Sequence, residues 1–131
     1  MKYFLKEDGD YLIEEMPLGD VWGDVPDGMH LKKIEKTGYP TQKPEALLTR
    51  IISAASNEGD AVLDAFSGSG TTAVAAQRLG RRWIAIDSGR LAVKTTVKRL
   101  LNLPASVRAP GSENNRAAFP APFTVYRAVK P

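Results

Sequence analysis

A short apolar run, Ala61-Val62-Leu63-Asp64-Ala65-Phe66, is followed at once by Ser67-Gly68-Ser69-Gly70 and then by a helical pattern from Thr71 to Leu79. No other stretch limits the fold so strongly. The run is too short for a helix and apolar on both faces, the pattern of a buried parallel strand. The glycines let the backbone turn tightly and approach a ligand. Gly80 stops the helix, and a second apolar run, Arg82-Trp83-Ile84-Ala85-Ile86-Asp87, follows. Parallel strands need a crossover between them, and the intervening helix supplies it. Another helix precedes the unit, with Pro44 in its first turn, Leu47, Leu48, Ile51, Ile52 and Ala55 at helical spacing, and Asn57 to Asp60 ending it. A third runs from Leu91 to Leu101 and is closed by Pro104. The order is helix, strand, glycine loop, helix, strand, helix, which is an α/β arrangement.

The chain divides into three parts. Residues 1–40 are acidic and rich in Gly, Asp and Pro, with Tyr11-Leu12-Ile13 and Asp20-Val21-Trp22 as short strand candidates in otherwise irregular structure. Residues 41–103 hold the βα portion. Residues 104–131 form a tail, read as a loop from Ala105 to Ala121, with Phe123 to Val129 as one possible strand. Two parallel strands are too few for a doubly wound sheet, and each open edge is an association hazard. The expectation is self-association, a partner chain, or a place in a larger protein.

Composition removes several chemistries. Cysteine is absent, so there are no disulfides, thiolate metal sites or cysteine nucleophiles, and the single histidine, His30, excludes a multi-histidine zinc centre. No metal site is expected. Neither a membrane span nor a secretory signal is visible, which is compatible with a cytoplasmic location. Charge is unevenly spread. Residues 1–30 carry two Lys against eight Asp and Glu, and the remainder carries sixteen Lys and Arg against seven Asp and Glu. That pattern fits a polyanion-binding protein and equally an ordinary basic domain with an exposed acidic segment.

The glycine loop and its neighbours suggest a ligand. Helix N-termini offer unpaired N–H groups to anionic or polar groups. Asp87 ends the second strand where an acidic residue reaches the ribose hydroxyls of a bound nucleoside. Its alternative role is a cap for the helix that follows Ser88-Gly89. Gly68-Ser69-Gly70-Thr71-Thr72-Ala73 also matches the G-x-G-x-x-A pattern of nicotinamide dinucleotide sites, while the absence of a lysine ending the loop excludes a nucleoside-triphosphate loop. Asp64 tips the balance. A carboxylate just before the turn repels a pyrophosphate and suits a ligand with an ammonium group, such as S-adenosylmethionine. Phe66 or Tyr39 can face its sulfonium through a cation–π contact worth about 0.5–2 kcal/mol. Otherwise Asp64 is a strand-end carboxylate and Phe66 plain core.

The segments Thr41-Gln42-Lys43-Pro44, Asp64 to Thr72 and Trp83-Ile84-Ala85-Ile86-Asp87, in that order, resemble the C-terminal half of a β-class amino-methyltransferase of DNA, the restriction–modification type. Gly38-Tyr39-Pro40, Ser56 to Asp60, Arg81-Arg82-Trp83 and Leu18 to Asp24 resemble the adenine-directed members, and the likeness covers about residues 10–101. Ala65 and Ser67 replace residues that are often Pro, Cys or Ala in relatives. The resemblance implies a partial Rossmann-like S-adenosylmethionine-dependent methyltransferase fold, a parallel sheet with flanking helices. It implies that Thr41 and Lys43 help line the methionine end of the cofactor, that Asp64, Phe66, Gly68, Gly70, Thr71 and Thr72 form its main cradle, and that Asp87 binds the ribose; Tyr39 joins them as a cofactor contact on the cation–π reading.

The family's catalytic tetrapeptide, Asp/Asn/Ser-Pro-Pro-Tyr/Phe, is missing: there are nine prolines and no two are adjacent. In relatives it holds the amino group of a flipped base and stacks on it. The resemblance therefore implies a cofactor-binding portion with no catalytic residues of its own, inactive alone, that meets DNA only within a complete enzyme. Its methyl acceptor would be adenine rather than cytosine. Lys94, Lys98 and Arg99 read as a solvated helix face, with phosphate contact as the other reading. Two further readings are a nicotinamide-binding fragment of an oxidoreductase and a non-catalytic remnant serving as a DNA-binding or association module.

Overall fold

A computed structural model of the chain describes residues 2–7, 10–15, 21–27, 30, 31, 33, 35–103 and 123–128. The first elements are strands β1 (Lys2–Glu7) and β2 (Asp10–Glu15), an antiparallel pair in which Phe4 faces Ile13. The second strand contains the expected Tyr11-Leu12-Ile13. The first was not expected, although the sequence between the two strands is Asp8-Gly9, one of the residue pairs favoured in two-residue hairpin loops. Val21 and Trp22 form no strand and lead into a turn; Asp20 lies outside the described residues.

The remaining elements are α1 (Glu45–Ala55), β3 (Ala61–Asp64), α2 (Thr71–Arg78), β4 (Arg82–Ala85) and α3 (Arg90–Leu101). Strands β3 and β4 are parallel neighbours with Val62 opposite Trp83 and Asp64 opposite Ala85. The expected strand–helix–strand unit is present, and with its helices it has the partial Rossmann-like arrangement expected, a parallel strand pair with flanking helices. The strands are two residues shorter than the apolar runs. Their pairing still reaches into the loops, through Ile86 N–H to the Asp64 carbonyl (2.8 Å) and Ser67 N–H to the Ile86 carbonyl (2.9 Å). Pro44 stands one position earlier than expected, as the residue preceding α1, with extended ψ of 138°.

Helix α2 is the centre of the packing. Its small side chains allow neighbours to approach on two sides. Ala73 and Val74 pack with Leu100 and Leu103, against which Trp83, Ala85 and Phe123 lie. Ala75 and Ala76 pack with Ile52, joined by Leu48, Val62, Leu79 and Trp83. Trp83 thus belongs to both clusters, and its indole N–H donates to Gln77 Oε1 at 2.9 Å, so its polar edge is satisfied where its rings are covered. Arg50 of α1 pairs with Asp24 and lies 5.5 Å from the Trp22 ring centre, tying the segment around residues 22–24 to that helix. The hydrogen bond from Arg50 holds the Asp24 carboxyl below the usual carboxylate range.

The strands alternate between covered and open positions. Val62, Trp83 and Ala85 meet the helical layer, whereas Leu63 and Ile84 are 66% and 59% exposed. Phe123 to Ala128 carries no strand, against expectation. Phe123 nevertheless packs on Trp83 with ring centres 6.0 Å apart. Val129 and the expected loop at 105–121 lie outside the described residues.

The packing around α2 makes a direct prediction. Ala75 is fully buried between helices, so Ala75→Leu has no space to fill and should cost about 1–3 kcal/mol. Urea unfolding followed by circular dichroism measures it, with the exposed Ala54→Leu as the neutral reference.

Candidate functional site

The C-terminal ends of β3 and β4 and the N-terminus of α2 converge on the glycine loop. Gly68 and Gly70 have φ of 51° and 76°, in the left-handed region where a side chain is strained. At Gly70 space forbids one as well: a Cβ there would stand 2.5–2.8 Å from the side-chain atoms of Thr96, whereas one at Gly68 would make ordinary contact with the Tyr39 ring at 3.4 Å. Gly70 is therefore required by both backbone turn and close packing, and Gly68 by the turn.

Two carboxylates brace the loop. Asp64 Oδ1 accepts from the Phe66 N–H (3.0 Å), and its Oδ2 accepts from the Thr72 hydroxyl (2.5 Å). Asp87 Oδ2 accepts from the Gly68 N–H (2.8 Å), and its Oδ1 accepts from the Gly89 N–H (2.7 Å). Asp87 thus joins the end of β4 to both the glycine loop and the turn before α3. The residue preceding α3 is Gly89, and no side chain caps that helix, so the capping alternative for Asp87 is replaced by this double tether. Each carboxylate oxygen retains acceptor capacity beyond the bond it makes.

Phe66 is not core. It is 90% exposed, standing free at the mouth of the loop. Tyr39 lies against Gly68, and the Thr71 hydroxyl donates to the Lys43 carbonyl at 3.2 Å, which seats the segment from Tyr39 to Pro44 beside the start of α2. The structure therefore brings together Tyr39, Lys43, Asp64, Phe66, Gly68, Gly70, Thr71, Thr72 and Asp87. Thr41 is exposed in the turn between Tyr39 and Lys43, a neighbour of the group in sequence.

Several residues that hold this site were not singled out from the sequence. Gln42 is buried and fully engaged: its Oε1 accepts from the Thr37 N–H (2.9 Å) and hydroxyl (2.7 Å), and its Nε2 donates to the Glu35 carbonyl (2.7 Å). Arg99 departs further from expectation. Lys94 and Lys98 are exposed, as a solvated face requires, but the Arg99 side chain is only 10% exposed. Its Nη1 donates to the Thr71 hydroxyl (2.8 Å) and the Ser69 carbonyl (3.2 Å), and its Nη2 lies 3.9 Å from Glu45. Burial pulls the Arg99 guanidinium below the usual arginine value, Glu45 and Glu35 oppose that fall, and Arg78 adds to it. Glu45 also pairs with Arg78 at 2.5 Å. Charged residues at helical spacing read as surface; the groups that Arg99 turns inward to meet, Ser69 and Thr71 of the loop and Glu45 of α1, are brought to it by tertiary structure.

The DNA methylase family model N6_N4_Mtase matches residues 6–98. The type II methyltransferase M2.DpnII of Streptococcus pneumoniae is 52% identical over 91 residues, covering 68% of this chain and 34% of that protein. The DNA adenine methyltransferase YhdJ of Escherichia coli K12 is 49% identical over 90 residues, covering 69% of this chain and 30% of that one. Among solved structures, the M1.HpyAVI–SAM complex superposes with a TM-score of 0.50 at 38% identity, over 79% of this chain and 45% of that one. The chain spans about a third of the length of these curated relatives.

The geometry at Gly70 sets a test. Gly70→Ala meets both a strained φ and the Thr96 side chain, and it should cost more than about 1 kcal/mol. Gly23→Ala, which meets nothing within 4 Å, serves as the control in the same denaturation series.

Proposed function

The chain belongs to the DNA methylase family, and from that premise we propose that it is the cofactor-binding portion of a site-specific DNA methyltransferase. The complete enzyme transfers a methyl group from S-adenosylmethionine to an exocyclic amino group of DNA. Adenine is the proposed acceptor, supported by the name of YhdJ among the relatives. The observation that carries the reading is the loop from Asp64 to Thr72, with a carboxylate at the end of each parallel strand and an exposed aromatic between them.

The residues present fit this ligand. Its methyl group is electrophilic because it sits on a sulfonium. In the proposed arrangement Phe66 offers an aromatic face to that positive centre, and its exposure leaves the face available. Asp64 receives the ammonium group on acceptor capacity left by Phe66 and Thr72, and Asp87 receives the ribose hydroxyls on capacity left by Gly68 and Gly89. Tyr39, Thr41 and Lys43 line the methionine end. Gly68, Gly70, Thr71 and Thr72 supply the turn and the helix start, whose N–H groups suit a carboxylate.

The chain contains no adjacent prolines, and so no catalytic tetrapeptide. We therefore assign it no methyl transfer of its own; the base-holding group comes from another polypeptide segment. The open face of the sheet, with Leu63, Ile84 and Ile86 exposed, supports an association of that kind, whether with a partner chain or with a second copy. No helix among the described residues is long and apolar enough to cross a membrane.

Calorimetric titration with S-adenosylmethionine tests the reading. Binding is expected, NAD should produce no heat of binding, and Phe66→Ala should weaken affinity roughly two- to thirtyfold, the range of one cation–π contact. Phe66 is the right control because it is exposed, whereas Asp87→Ala also removes the tethers to Gly68 and Gly89. A folded chain that ignores S-adenosylmethionine would contradict the proposal. Radiolabelled methyl transfer to unmethylated DNA should be undetectable with the chain alone, and sedimentation velocity should show association that Ile84→Lys reduces.

A further inference from the structure

Helix α3 approaches the glycine loop as closely as a glycine permits. Thr96 and Arg99 lie one turn apart, three residues along the same face. The Thr96 hydroxyl donates to the Gly68 carbonyl at 3.3 Å, and Arg99 Nη1 donates to the Ser69 carbonyl at 3.2 Å. Two consecutive loop carbonyls are thus turned toward α3. A trans peptide is planar, with its C=O and N–H on opposite sides. Holding the Gly68 carbonyl toward α3 therefore directs the Ser69 N–H away from it. Holding the Ser69 carbonyl toward α3 directs the Gly70 N–H away, where it donates to the Ser67 carbonyl at 2.8 Å. Arg99 also bonds the Thr71 hydroxyl at 2.8 Å, so one guanidinium restrains the loop and the first residue of α2 together.

We propose that Thr96 and Arg99 are positioning residues for the cofactor: from α3 they fix the 68–69 and 69–70 peptides and so present the Ser69 N–H to the carboxylate of the ligand. The inference rests on the cofactor reading above for the identity of that carboxylate. Thr96 is buried and the Arg99 side chain is 10% exposed, which is costly for polar and charged groups unless they are hydrogen-bonded. Here each ends on the backbone of the loop. Glu45, anchored in turn by Arg78, fixes the direction of the guanidinium. Neutralising Glu45 is a different task from positioning the loop, and the two separate under substitution. A lysine at position 99 keeps the charge beside Glu45 but has one nitrogen where the guanidinium divides the work, Nη1 on the Ser69 carbonyl and Thr71 hydroxyl and Nη2 toward Glu45.

The experiment uses the full chain with Thr96→Val, which keeps the side-chain volume beside Gly70, and Arg99→Lys. Circular dichroism establishes that each is folded. Amide hydrogen exchange by NMR is then compared at Ser69 and Gly70 and at interior amides of α2, and S-adenosylmethionine affinity is measured by calorimetry. In both variants exchange should rise by about tenfold at the two loop amides with α2 little changed, and affinity should fall by about tenfold, as for loss of a charge-assisted or buried hydrogen bond. Wild-type loop exchange and affinity in folded Thr96→Val and Arg99→Lys would overturn the proposal; in Arg99→Lys alone they would reduce Arg99 to a counter-charge and overturn its part. If the unmodified chain binds no S-adenosylmethionine, the cofactor reading falls, and unchanged loop exchange in the variants still overturns positioning by α3.

Discussion

The close approach of helices around α2 is the constraint on which the rest depends. Ala73, Ala75 and Ala76 are buried almost completely, and their small side chains let α1 and α3 come near from two sides while β3 and β4 lie against the same helix. Larger residues would push α3 outward. That displacement would take Thr96 from Gly70 and Arg99 from Ser69. The packing of a plain alanine-rich helix therefore reaches directly to the conformation of the loop that precedes it. Trp83, shared by both clusters and held by Gln77, keeps the sheet in the same register with that helix.

The electrostatics follow the same logic. Arg99, Glu45 and Arg78 form a partly buried chain of charges across three helices. Pairing of this kind gives weak net stabilisation, because desolvation offsets much of the attraction. What it does give is direction. A guanidinium with a fixed carboxylate on one side has few ways to place its remaining N–H groups, and here they fall on Ser69 and Thr71.

The strand–helix–strand unit was legible because each of its signals is local. Apolar runs of strand length, glycines at the turn and a periodic helix all follow from neighbours in sequence. The loop residues were legible for the same reason, and so was the order of the motifs. Arg99 and Gln42 were not, since their burial is decided by Glu45 and by Glu35 and Thr37, none of them adjacent in sequence. Strand β1 was overlooked for a weaker reason: its Lys and Glu residues dilute the apolar alternation, and only Asp8-Gly9 marks the hairpin. The stretch at 123–128 has strand composition without a strand. β-Propensity measures fit to a neighbouring strand, and here only Phe123 finds a surface to pack on.

The two ends of the βα unit are secured by main chain and side chains in different proportions. At the end opposite the glycine loop two ties join main chain to main chain, Gly59 N–H to the Gly80 carbonyl at 2.9 Å and Arg82 N–H to the Asp60 carbonyl at 2.8 Å, and the Arg81 guanidinium donates to the Ser56 carbonyl at 2.6 Å. At the glycine end main-chain bonds continue through Ile86 and Ser67, and the side chains of Asp64, Asp87, Thr96 and Arg99 add a second set of ties that holds the loop. In the first set the Gly59–Gly80 and Arg82–Asp60 bonds use backbone atoms alone, while Gly59 and Gly80 have φ of 84° and 72° and the Arg81 bond needs its side chain. The second is rewritten by single substitutions. A change at one of those four side chains therefore registers as altered loop geometry, which makes this end of the unit its chemically adjustable pole.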